Sequence, residues 1–233
     1  MNDEKKNEIR KHLRCLALKR IEALQEVDST KIHLNPYLLR LLSLNSVQEI
    51  AEFVVSQRLE RSVVTSYGSR IQSIAKILAD EGGTGVEGAD ICKVKNGRRH
   101  YFQIKAGPNT PNKDITKMIN TLMAGATRRN HGSVALLGMT YGNRESVSSI
   151  IQRYSQIDWL IGKEFWAFIG DSPSSAHQIF DLVTEVVTSI RAPEEESYSS
   201  LYRKKVDEVA SQLRKKYGDS GNEMWEKLFE DSM

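Results

Sequence analysis

The spacing of apolar residues predicts helices toward both ends of the chain and a short sheet in its middle. In 4–26, Ile9, Leu13, Leu16, Ala17, Ile21 and Leu24 recur at the interval of one helix face. Lys11, Arg14, Lys19 and Arg20 fill the remaining faces. That reads either as an amphipathic helix with a solvated basic side or as an arm that contacts phosphate or packs on a second chain. Helices over 36–44 and 46–60 follow. Asn35 stands as an N-cap ahead of Pro36 at the first helical position. Ser46, with Glu49 three residues on, makes a capping box. A further helix starts near Thr65 and Ser66 and buries Ile71, Ile74, Ala75, Ile77 and Leu78.

The period then changes. Residues 81–85 are glycine-rich and read as a loop and a candidate hinge. Asn96-Gly97 is a strong hairpin signal, because both residues tolerate the positive φ of a type I′ turn. A two-residue turn pairs Lys95 with Arg98, Val94 with Arg99, Lys93 with His100, Cys92 with Tyr101 and Asp90 with Gln103. Opposed residues share a face and side chains alternate, so Asp90, Gln103 and Lys105 converge while Ile91, Phe102 and Ile104 point into a core. Residues 107–112 hold two prolines and two asparagines and form a loop. A helix over 113–126 turns Ile115, Met118, Ile119 and Leu122 inward and leaves Lys113 and Lys117 outside. The apolar run 133–140 is a buried central strand. The remainder reads as helical: 144–155, 157–169, 174–191, 197–217 and 222–230. The outcome is an α/β fold: a mixed central sheet of about five strands flanked by helices, with a helical N-terminal region and a helical C-terminal half.

Composition narrows the class. At 233 residues, with 39% hydrophobic and 27% charged content, the chain suits one sizeable core. Its expected parts are 1–64, 65–145 and 146–233 of a single domain. No apolar run is long enough to span a membrane, and the N-terminus has no secretory pattern. Cys15 and Cys92 are too few for a disulfide framework or an all-cysteine zinc site. A cytoplasmic protein with no membrane partner is expected. The net charge of +3 is too weak to name a partner by itself. The histidines show no metal-ligand spacing, and no phosphate-binding loop, dinucleotide fingerprint or nucleophile elbow occurs. NTPase, dinucleotide oxidoreductase and α/β-hydrolase chemistries drop out.

A carboxylate, an amide oxygen and an ammonium on one strand face suit a Mg²⁺ site with an adjacent lysine. An acid, a hairpin and an amide-x-lysine resemble the PD-(D/E)xK nuclease core. Further stretches occur in order: Asn35-Pro36-Tyr37-Leu38-Leu39, Thr65-Ser66-Tyr67-Gly68, Gly85-Val86-Glu87-Gly88-Ala89-Asp90, Ile104-Lys105-Ala106-Gly107-Pro108-Asn109, Phe165-Trp166 with Phe168-Ile169-Gly170, and Trp225-Glu226-Lys227-Leu228. Together they resemble a family of type II restriction endonucleases that includes relatives associated with GGNCC-like sites. The resemblance runs from about Pro36 to Phe229.

The resemblance implies Mg²⁺-dependent, sequence-specific cleavage of double-stranded DNA. It makes Asp90 the metal ligand and Lys105 the catalytic helper, and the carbonyl of Ile104 a further ligand. Gln103 stands where most such enzymes carry Glu, and Gln72 where the preceding helix supplies an acid. The second negative charge falls to Glu87 if Gly88 re-aims it by a bulge or turn; otherwise Glu87 is a loop acid. Asn109, Thr110 and Asn112 either hold a phosphate or form a stiff turn. Lys113, Lys117, Tyr141, Asn143 and Arg144 are candidate DNA contacts, the last three against ordinary loop chemistry. Palindromic sites are read by two-fold dimers, so a homodimer is expected. Two rivals keep the fold: a structure-specific repair or junction nuclease, and a DNA-binding protein that has lost an acid and its activity.

Overall fold

The computed structural model describes residues 1–28, 32–80, 86–109, 111–190 and 197–233. The chain packs as two compact units, Met1–Cys15 with Tyr67–Thr188 and Leu16–Ser66 with Ser189–Met233. The boundaries within the first third of the chain fall inside the helices α1 (Asp3–Gln25) and α3 (Val47–Ala79).

The first unit carries the sheet. Its strands are β1 (Ile91–Lys95), β2 (Arg98–Lys105), β3 (Val134–Met139) and β4 (Asp158–Ile161), in that spatial order. β1 and β2 are antiparallel, while β2, β3 and β4 run parallel. The expected hairpin register holds: Lys95 faces Arg98, Lys93 faces His100 and Cys92 faces Tyr101. Asn96 and Gly97 both take positive φ, 52° and 72°, as the turn requires. The parallel step from β2 to β3 is made by α4 (Lys113–Arg129).

Both faces of the sheet are covered. Cys92, Tyr101, Leu137, Met139 and Ile161 pack with Ile119 and Met123 of α4 and Ile151 of α5 (Ser149–Tyr154). On the other face Ile91, Phe102 and Ile104 are buried, and Phe102 meets the rings of Phe165 and Phe168 edge-on or tilted. Those rings come from α6 (Lys163–Ile169). Gly138 of β3 leaves the space they need, since a Cβ there would lie 2.5 Å from the Phe165 ring. The buried Lys93 pairs with Asp171 at 2.5 Å, which also holds Lys95 at 3.3 Å. α7 (Ser175–Ser189) completes this unit.

The second unit is helical. α2 (Pro36–Leu41), α8 (Tyr198–Tyr217) and α9 (Gly221–Ser232) join the remaining parts of α1 and α3. Leu24, Leu39, Val47, Ile50, Val55, Val209, Met224 and Leu228 form its core. The expected caps are present: Asn35 accepts from the Leu38 N–H at 3.0 Å, and Ser46 and Glu49 bond reciprocally at 3.3 and 3.1 Å.

Four expectations are corrected. Among the described residues the sheet has four strands, not about five. Residues 157–169 are not one helix: 158–161 pair with β3, and Gly162, at φ 53°, turns the chain into α6. The helix expected over 46–60 and the one beginning near Thr65 are one continuous α3. Thr65, Ser66 and Gly68 are poor helix formers, but buried apolar positions on either side carry the helix through them. Within 144–155, residues Arg144–Ser146 form a 3₁₀ turn and only Ser149–Tyr154 is α-helical. The 81–85 loop and the break at 191–193 lie outside the described residues.

Candidate functional site

Asp90 stands just before β1 and is fastened to β2 by three hydrogen bonds. Its own N–H donates to the Phe102 carbonyl at 2.7 Å. Its Oδ2 accepts from the Ile104 N–H and from Gln103 Nε2, both at 2.6 Å. Backbone N–H and C=O groups of one strand residue project to the same side, so the Ile104 carbonyl also faces the Asp90 end of β1. Gln103 offers its amide nitrogen to the carboxylate, and its Oε1 accepts no hydrogen bond among the described residues. Gln103 and Lys105 are both half-buried on the β2 face that carries the buried Tyr101.

Burial raises the Asp90 carboxyl above the ordinary range. The Ile104 N–H, the charge of Lys105, the charge of Lys76 and the Gln103 amide all pull it back. A carboxylate so placed is stabilised by an added cation. The Lys105 ammonium makes no hydrogen bond or ion pair among the described residues, so it is available to a ligand. Lys76 carries no sequence motif. Its signal is positional: it lies one helical turn beyond Gln72 on α3, and i, i+4 residues share a face.

Glu87 sits at the exposed corner of a turn, Val86 to Ala89, closed by the Ala89 N–H on the Val86 carbonyl at 3.3 Å. Gly88 supplies the positive φ of 90°, and a Cβ on it would lie 2.7 Å from the Leu122 Cβ. The Glu87 carbonyl accepts from Arg129 of α4 at 3.4 Å. Among the described residues its carboxylate makes no hydrogen bond or ion pair with Asp90, Gln103 or Lys105. Across the sheet end, Thr140 Oγ1 donates to the Ala106 carbonyl at 2.7 Å and lies 3.5 Å from the Tyr67 hydroxyl. The exposed Tyr141 lies against Gly107, where a Cβ would come within 2.4 Å of its ring.

The sequence model of the type II restriction endonuclease EcoO109I family matches residues 3–194, more than half of the chain. The chain belongs to this family. Among curated proteins, none gives a match. A type II restriction endonuclease is a site-specific deoxyribonuclease, a hydrolase whose substrate is DNA. No helix among the described residues is long and apolar enough to cross a membrane.

In this restriction endonuclease, several expected DNA contacts have structural work. Asn112 caps α4 by accepting from the Ile115 N–H at 2.9 Å. Asn143 closes a capping box with Ser146. Arg144 pairs through two nitrogens with Glu164, each at 2.8 Å, and its guanidinium lies over the Trp159 ring. Lys113 lies over Tyr154, and Lys117 and Asn109 are exposed. Thr110 lies outside the described residues.

The donor set fits a hard divalent ion. Asp90 Oδ1, Gln103 Oε1 and the Ile104 carbonyl are all oxygens, and Mg²⁺ uses one or two carboxylates with the balance from water and substrate phosphate. Only Asp90 brings charge. Among the described residues no three acidic, histidine or cysteine side chains gather as a metal cluster.

Proposed function

We propose that this chain, acting as one nuclease over 1–233 in the cytoplasm, cuts double-stranded DNA at a specific sequence by Mg²⁺-dependent hydrolysis, as a homodimer. The centre is of the PD-(D/E)xK type, built from Asp90, Gln103, the Ile104 carbonyl and Lys105. The observation that carries the reading is the half-buried Asp90 carboxylate latched to β2 beside Gln103, with the Lys105 ammonium two residues on. Mg²⁺ held there supplies a Lewis acid for a non-bridging phosphate oxygen and lowers the pKa of a water. Asp90 orients the oxygen donors. Lys105 stabilises charge that develops on the phosphate. The missing second carboxylate is supplied by Glu87, or its charge by the scissile phosphate itself. Asn109, Lys113, Lys117 and Tyr141 lie on the segments that lead away from this site and are the proposed DNA contacts, with Thr110 between them in sequence.

Digestion of DNA of known sequence, with Mg²⁺ or with chelator, followed by mapping of the ends, tests this. Discrete fragments with one end sequence are expected only with Mg²⁺. Nicking that follows DNA structure would move the assignment to a repair or junction nuclease. The amides at 72 and 103 favour a second reading, a DNA-binding protein without activity, and specific binding with no cutting would establish it.

A further inference from the structure

A cleft of ≈ 370 Å³ opens between α1 and α3 within the first unit, lined by Glu8, Lys11, His12, Ser73, Lys76 and Ile77. Its chemistry is that of an anion site. Among the described residues, the ammonium groups of Lys11 and Lys76 make no ion pair. Nearby surface cations on the same helix do: Lys5 with Asp80 and Arg10 with Glu185. Arg70 stands 3.4 Å from His12 Nδ1. A guanidinium only donates, so Nδ1 is the acceptor and the proton of the neutral imidazole lies on Nε2, a donor. Burial and the Arg70 charge lower the His12 pKa, and Glu8 opposes them. Two cations, Lys11 and Lys76, and the His12 ring thus line the cleft with a single carboxylate, Glu8, while Arg70 stands against His12. Lys76 belongs to both places: it lines the cleft, and its charge acts on Asp90.

We propose that this cleft is a second phosphate-binding site, which takes a DNA backbone phosphate flanking the one that is cut. This rests on the nuclease reading above and adds a contact on the α1 side of the site. Lys76, which lines the cleft, lies between the two phosphates. A phosphate clamp of this kind positions the duplex without reading bases.

The test uses the full chain in chelator, so that DNA is bound but not cut, with duplexes that do and do not contain the cleaved sequence. Lys11 is exposed, so Lys11→Ala should melt like the wild type. It should weaken binding to both duplexes by the same factor, about eightfold per bound chain at 0.1 M salt, and flatten the salt slope by about 0.9 per chain. Neutral methylphosphonates placed singly along the backbone should cost the wild type affinity at a position near the cut, and cost Lys11→Ala nothing there. Binding and slope unchanged in both Lys11→Ala and Lys11→Glu, with a wild type that still cuts, would remove the second site and leave the nuclease reading standing. A wild type that neither binds nor cuts duplex DNA would overturn both.

Discussion

Replacing Gln103 with Glu tests the geometry of the site most directly. In the wild type, Gln103 Nε2 donates to Asp90 Oδ2 at 2.6 Å. Gln103→Glu removes that donor and sets a second carboxylate against the first. The lost hydrogen bond to a charged acceptor is worth roughly 1.5–3 kcal/mol. Two carboxylates relaxed to ~4 Å repel by about 4 kcal/mol at an effective dielectric of ~20, and partial solvent access reduces this. Binding a proton relieves the repulsion but costs about 1.36 kcal/mol for each pH unit above the ordinary carboxylate value. The net loss at pH 7.5 without metal is roughly 3–5 kcal/mol, or about 6–20 °C in melting temperature. The folded pair binds a proton that the unfolded chain does not, so the variant should regain stability as pH falls. Mg²⁺ should raise its melting temperature more than that of the wild type, because the ion neutralises both carboxylates. The Mg²⁺ concentration for half-maximal cutting should fall, most clearly at neutral to alkaline pH. Thermal melts in chelator and in Mg²⁺, paired with a Mg²⁺ titration of cleavage, measure all three. A variant that melts with the wild type in chelator would refute the 2.6 Å contact. Equal gains from Mg²⁺ would refute the cation site.

Asp90→Asn should abolish cleavage yet melt at or above the wild type at pH 8. Burial raises the folded carboxyl, so ionised Asp90 takes stability away as pH rises from the ordinary carboxylate range through its raised value; a clear drop in melting temperature would contradict this. Lys105→Ala should lose cutting and keep specific DNA affinity, and substantial residual cleavage by the purified variant would end its catalytic assignment. Glu87→Gln separates the two sources of the missing charge: a raised Mg²⁺ requirement assigns it to Glu87, and wild-type behaviour makes Glu87 a turn residue. Gly138→Ala should cost roughly 1–3 kcal/mol by overpacking against the Phe165 ring, and an unchanged melt would show that the ring does not cover that position.

What could be read in advance was local. Asn96-Gly97 sets the turn, and the turn sets every pairing out to Gln103, so the convergence of Asp90 and Gln103 follows from counting. The caps at Asn35 and Ser46 are also written within four residues. β4 was hidden because four residues make no period, and because Trp159, Phe165 and Trp166 mimic a helix face. Its strand character comes from pairing with β3, a partner about twenty residues away. The engagement of Arg144 was hidden for the same reason, since Glu164 carries no local signal. Lys76 is silent in the sequence because no motif marks it and its link to Asp90 arises only when α3 packs in the first unit. The join within α3 was missed because propensity alone argues for a break at Thr65 to Gly68, and packing decided otherwise.

The bond from the Ile104 amide to Asp90 Oδ2 has a practical consequence. A single backbone proton is wired to the carboxylate at the centre of the site. Its resonance will shift whenever that oxygen gains a proton, a metal ion or a competing donor, and its exchange with solvent will quicken whenever the start of β1 peels away from β2. One labelled isoleucine therefore turns the site into its own spectroscopic gauge, one that can follow metal entry, protonation and fraying separately on a chain that is cutting nothing.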